Sequence, residues 1–147
     1  QYKIIHRYYP SQNKISKWDD TVSSVCKLCQ LEIADTVHTF FGCTPIKNFL
    51  AKIVQWLNRN TNFSIHLSCE ISMLGFFPFK LNNHAINHCL IYAKYFIHKE
   101  KLNDREPNFT RFLKYYKSKL VIERECYVLQ NKLLVFNKSL GALYYVL

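Results

Sequence analysis

Glycine and proline are scarce in this chain: three and four among 147 residues. That argues against a sandwich or barrel built on many tight turns and favours helices joined by short links. No apolar run approaches the roughly 18 residues of a membrane-spanning helix. No charged-then-apolar leader opens the sequence, so no secretory signal is expected. Acidic residues are few, ten against twenty Lys and Arg, which leaves a formal charge of +10. The patterns of catalysis are also missing. There is no Gly-rich phosphate loop and no Gly-x-Ser-x-Gly nucleophile elbow. Asp19-Asp20 is the one adjacent pair of carboxylates, in an expected loop with no third acid beside it. No catalytic residues are assigned, and the chain is expected not to be an enzyme.

What is abundant is apolar and aromatic side chain, 49% and 16% of the residues, enough to fill the core of one domain spanning 1–147. A chain beginning with Gln1 rather than Met reads as a fragment of something longer. Residues 2–9 read as a short helix and 10–25 as a loop. Thr44-Pro45 is a helix start, with Thr to cap and Pro where no N–H is needed. Ile46, Phe49, Leu50, Ile53 and Leu57 follow at helical spacing, so 45–58 is an amphipathic helix. Phe63 to Leu67 alternates like a strand, and a two-stranded element around 63–76 is possible, with Leu74 to Pro78 ending in a turn. Residues 84–101 are helical again. Asn103 to Asn108 breaks the pattern, 109–138 forms one long helix or two, and the tail from Gly141 is expected to fray. The fold class is mainly α.

Six cysteines are present, and four Cys and His residues share one short stretch: Cys26-x2-Cys29-x8-His38-x4-Cys43. Thiolates and an imidazole are the donors of a tetrahedral zinc site. Two cysteines separated by two residues can face one ion from a tight turn, and closing so short a loop costs little entropy. Four protein donors leave no open position, so such a site is structural rather than hydrolytic. The other readings are buried free thiols with a core histidine, or a disulfide. A thioredoxin-type site would need a strand before Cys26, and none is visible. A zinc deaminase would need His-x-Glu ahead of its cysteine pair, whereas here the pair comes first. Cys69, His84, His88 and Cys89 could suggest a second site. With no His-Glu-x-x-His glutamate, they read as partly exposed histidines and a buried Cys89, and Cys126 as helix packing.

The second feature is charge. Residues 80–147 hold 12 Lys and Arg against 5 Asp and Glu, so seven of the ten net positive charges lie there. Within the basic helical part, 84–138, Lys94, Lys99, Lys101, Arg111, Lys114, Lys117 and Lys119 are candidates for phosphate contact. Tyr115 is a candidate for stacking on unpaired bases, with other tyrosines interleaved. The competing reading is a solvated face with Glu100, Asp104, Glu106 and Glu123 pairing some of these cations.

The opening Gln1 to Arg7 stretch, the loop, and Cys-x2-Cys-x8-His-Thr-Phe-Phe-Gly-Cys together resemble the C-terminal region of LINE-type non-LTR retrotransposon reverse transcriptases. Leu74 to Pro78 and the basic helices after it look like the same region, and the likeness covers about residues 1–125. The resemblance implies a zinc-knuckle segment, 26–43, whose ligands would be Cys26, Cys29, His38 and Cys43. It implies RNA or DNA as partner during target-primed reverse transcription, and an upstream reverse transcriptase domain of the same polyprotein. No membrane or small-molecule partner is implied. It places the chain inside the cell, in nucleus and cytoplasm as part of a ribonucleoprotein. The gap of eight exceeds that of retroviral knuckles, so their mode of base recognition is not carried over. A zinc-stabilised protein-docking module is the alternative, and a decayed element copy the third possibility.

Overall fold

The computed structural model describes residues 2–5, 8–75 and 84–147. Its elements are helical: α1 (Tyr2–Ile5), α2 (Gln12–Ile15), a π-turn (His38–Gly42), α3 (Thr44–Asn60), α4 (Cys69–Leu74), α5 (His84–Leu102), α6 (Phe109–Leu129), α7 (Leu133–Ser139) and α8 (Gly141–Tyr144). Among the described residues there is no strand, only an isolated antiparallel bridge between Val25 and Ile33. The mainly α expectation holds.

Helix α3 buries the stripe its spacing predicts, Ile46, Phe49, Leu50, Ile53 and Leu57, and Val54 beside it. Its start differs from expectation. Thr44 is the first helical residue and Cys43 holds the capping position, with no side-chain cap bond. The Cys43 carbonyl accepts from Lys47 N at 2.8 Å, so the chain passes directly from the cysteine into the helix.

The expected two-stranded element is absent among the described residues. The segment 63–67 is irregular and pairs with a side chain rather than a strand. Asn58, on α3, accepts from Ile65 N at 2.8 Å and donates to Ile65 O at 2.9 Å. One amide thus satisfies both backbone groups that a neighbouring strand would have met. Part of the predicted turn, Phe76 to Pro78, lies outside the described residues.

Helices α5 and α6 run antiparallel, with Phe96 against Phe112, Tyr92 against Tyr116 and His88 against Tyr116. Phe49 of α3 closes the core against both, 5.9 Å from Phe96 and 5.6 Å from Phe112 between ring centres. Such rings add edge and offset-stack attraction to their burial. The stretch 109–138 is two helices. Asn131 takes a positive φ of 56° between α6 and α7 and turns the chain back. The tail from Gly141, expected to fray, forms α8 and docks through Leu143, which is fully buried, and Tyr144, which packs on Phe136, while Tyr145 and Val146 stay exposed.

Lys94 corrects the sequence reading. It lies on the inner side of α5, 5% exposed, and its ammonium donates to the Met73 carbonyl at 3.2 Å near the end of α4. Burial lowers its pKa from 10.5 to about 8. Below that value both folded and unfolded chains hold the proton, and burial of the charge costs stability. Between about 8 and 10.5 the unfolded chain binds more proton, so stability rises with pH. Lys94→Met removes this titration. The stability of the variant relative to wild type should therefore fall by up to about 3 kcal/mol across that interval. Paired denaturant melts at several pH values check it, and a difference independent of pH contradicts it.

Candidate metal centre and basic face

The segment before α3 has little core of its own and is organised by short backbone bonds. Cys26 N donates to Glu32 O, Gln30 N to Cys26 O, and Ala34 N to Ser24 O, at 2.8–2.9 Å. Gln30, with φ 57°, reverses the chain in the left-handed region. The turn closed by Gln30 N on Cys26 O sets Cys29 beside Cys26, and Gln30 then sends the chain back past Cys26. Asp35 Oδ1 then accepts from His38 N at 2.7 Å and opens the π-turn, which Cys43 N closes onto His38 O at 3.0 Å. The wider turn lets both His38 and Cys43 face the cysteine pair. Gly42 leaves room for the imidazole, since a Cβ there would sit 3.3 Å from His38 Nδ1.

Cys26, Cys29, His38 and Cys43 converge with all four ligand atoms within 4.8 Å of one another. Cys29 Sγ is 3.3 Å from His38 Nε2, and Cys26 Sγ is 3.8 Å from Cys43 Sγ. All the described cysteines are free thiols, so the disulfide reading falls here. Cys26, His38 and Cys43 are buried and Cys29 partly so. The group could hold a metal ion, and it is the one such cluster among the described residues.

The electrostatics favour a cation. Burial disfavours the Cys29 thiolate, but the N–H groups of Leu31 and Glu32 with bonds from Cys26 and His38 outweigh it and bring its pKa down to about 6. Burial and the neighbouring Cys26 charge push Cys43 up to about 12. One thiolate is therefore accessible and further negative charge is resisted, a resistance that a positive ion between the sulfurs would relieve.

Three surrounding groups carried no sequence signal toward the cluster. Glu32 Oε2 lies 3.1 Å from His38 Nδ1, which leaves Nε2 for the cluster. Asp35 orients the same residue. Lys101 donates to Thr39 Oγ1 at 3.1 Å beside the sulfurs. Burial lowers the Lys101 pKa while the Cys26 and Cys43 charges pull it upward. Lys101 comes from α5, 58 positions beyond Cys43, and no spacing rule connects it to the cluster.

The remaining candidates separate into groups. Lys94 is buried and Lys101 turns toward the cysteines, so neither stands on an open basic face. Arg111 is held by buried Glu100 at 2.6 Å and by the Glu106 carbonyl. Lys99 and Lys119 converge on Tyr115, 5.6 and 5.4 Å from its ring centre. Lys114 and Lys117 are exposed, and Lys117 donates to Leu147 O at 2.7 Å. Two residues apart on a helix of 3.6 residues per turn, Tyr115 and Lys117 face opposite sides. The candidates therefore do not form one continuous face.

The second-site residues do not assemble. His88 is taken by Glu123 at 2.8 Å and the Tyr116 hydroxyl at 2.9 Å, and Cys89 is fully buried with its thiol pKa raised by that burial. Cys126, expected in helix packing, is exposed. No helix of the described residues is long and apolar enough to cross a membrane. A scan against protein-family models and a search of curated proteins return no match for the chain.

Because Glu32 fixes the ring nitrogen that faces the sulfurs, Glu32→Gln should weaken metal binding by about tenfold. Competition of cobalt(II) between the chain and a chromophoric chelator reads this directly. Equal affinity in variant and wild type would show that Glu32 leaves the ligand orientation unchanged.

Proposed function

We propose that this chain is a non-catalytic, zinc-stapled nucleic-acid-binding module from the C-terminal region of a retrotransposon reverse transcriptase. Zinc at 2.3 Å from sulfur and 2.0 Å from nitrogen has tetrahedral edges of about 3.8 Å between sulfurs and about 3.5 Å between sulfur and nitrogen. The Cys26–Cys43 and Cys29–His38 separations, 3.8 and 3.3 Å, lie close to two of those edges, and all four donor atoms fall within 4.8 Å. The ion's role is to close the 26–43 segment on itself at the start of α3, with no position left for substrate. Template RNA or target DNA would be the partner, with the polymerase domain upstream, in a nuclear and cytoplasmic ribonucleoprotein.

The observation that carries the binding reading is the set of exposed cations without counter-ions. Among the described residues exposed Lys99 and Lys114 and half-buried Lys119 pair with no carboxylate, while Lys27, Arg105, Arg111 and Arg124 do and Lys117 is held by Leu147 O. Unpaired surface ammonium groups gain most from phosphate, because each contact releases a condensed counter-ion. A second reading, docking to another protein, is favoured by the apolar side chains exposed along α6 and α7: Ile122, Leu129, Leu134 and Val135.

Two measurements test the proposal. Chain purified without chelator should carry about one zinc, and Cys26→Ser/Cys29→Ser should lose both the metal and the ordered fold. Zinc-free wild type with an unchanged melt would return the four residues to the core. For the binding reading, affinity for an oligonucleotide should fall by orders of magnitude between about 50 and 200 mM salt. Lys99→Ala/Lys119→Ala should weaken it and flatten the salt slope by about one to two, while Lys94→Met leaves it unchanged. Salt-independent binding would favour the docking reading.

A further inference from the structure

Tyr95 is an aromatic residue that the helix period alone does not bring into the core. It stands on the outer side of α5, 56% exposed. Its ring lies on Tyr115 of α6, 6.2 Å between centres and 15° from parallel. Tyr115 is backed in turn by Phe96 at 5.6 Å and by Tyr92 at 6.2 Å, whose hydroxyl donates to Glu123. The pair is therefore fixed from below and open above. Lys99, one turn along α5 from Tyr95, and Lys119, one turn along α6 from Tyr115, both place their ammonium groups over the Tyr115 ring. Two like charges converge on one ring, and no carboxylate pairs with either. Glu100, the nearest acid on α5, is turned inward to Arg105 and Arg111. Ile91, one turn before Tyr95, is exposed on the same side.

We infer that Tyr95 and Tyr115 form a stacking platform for unpaired nucleobases, with Lys99 and Lys119 as its phosphate contacts, so that the chain selects single-stranded over double-stranded nucleic acid. This rests on the nucleic-acid reading above and narrows it. A duplex keeps the faces of its bases stacked on one another and offers a protein only their edges and its phosphates. The lysines alone would accept either form. The open ring face of Tyr95 is satisfied only by a base that has left its stack, and a pre-held aromatic pair offers that base a partner at little ordering cost. Stacking is indifferent to base identity, so the platform tolerates any sequence. It sits apart from the cysteine cluster, whose part is to hold the fold.

Titration with fluorescent 12-nucleotide single-stranded RNA, single-stranded DNA and the corresponding 12-base-pair duplexes tests the inference. Wild type, Tyr95→Ala and Tyr95→Phe are compared, with thermal melts to confirm that all fold alike. The expected result is tighter binding of single strands than of duplex, a loss of about tenfold for single strands in Tyr95→Ala, retention in Tyr95→Phe, and duplex binding unchanged. The preferred single strand, RNA or DNA, identifies the source of the unpaired bases, and either preference supports the platform. Quenching of 2-aminopurine in the bound strand, lost in Tyr95→Ala, supports base contact directly. Equal affinity for duplex and single strand with no effect of Tyr95→Ala overturns the platform and leaves the nucleic-acid reading standing. Absence of binding to every oligonucleotide overturns both.

Discussion

Three thiols and an imidazole are brought within 4.8 Å of one another, all but Cys29 buried, and the thiols repel as they ionise. Such a group is stable only when a shared proton network or a cation satisfies it. The N-terminal third of the molecule is arranged around that constraint. The turn that Gln30 N closes on Cys26 O holds the first cysteine pair together, the π-turn aims His38 and Cys43 at it, and Cys43 leads directly into α3. Because α3 carries Phe49 into the rings of α5 and α6, the position of the cluster is mechanically linked to the aromatic core.

The helical core makes its own selection among the cations. A long basic side chain takes whichever acceptor its helix position brings within reach. Lys94 reaches the Met73 carbonyl, Lys101 the Thr39 hydroxyl, and Arg111 a buried carboxylate. These three contribute to the fold. Lys99 and Lys119, on the outer flank where α5 and α6 meet, find aromatic rings and no acid. Net charge therefore overstates the number of cations that stand free of the fold, since Lys94, Lys101 and Arg111 are engaged within it.

Periodicity made α3 and α5 legible because their apolar residues recur where one face must be buried. It did not reveal how 63–67 is paired, since the partner is the amide of Asn58 rather than another alternating segment. It also left the C-terminal tail looking loose. Leu140, Leu143 and Tyr144 are too few for a recognisable pattern, yet they close over Phe136 once Asn131 has turned the chain.

The local spacing of Cys26, Cys29, His38 and Cys43 was sufficient by itself to mark one donor cluster, because its ligands lie in a stretch short enough for backbone turns alone to gather them. The sequence also determined the helical class, through the 3.6-residue period of apolar side chains. Which basic residues face solvent, which carboxylate orients His38, and which tyrosine lies on Tyr115 were decided only by tertiary structure. Each depends on the packing angle and register of helices far apart in the chain, and a side chain four or five bonds long can turn inward or outward from the same position.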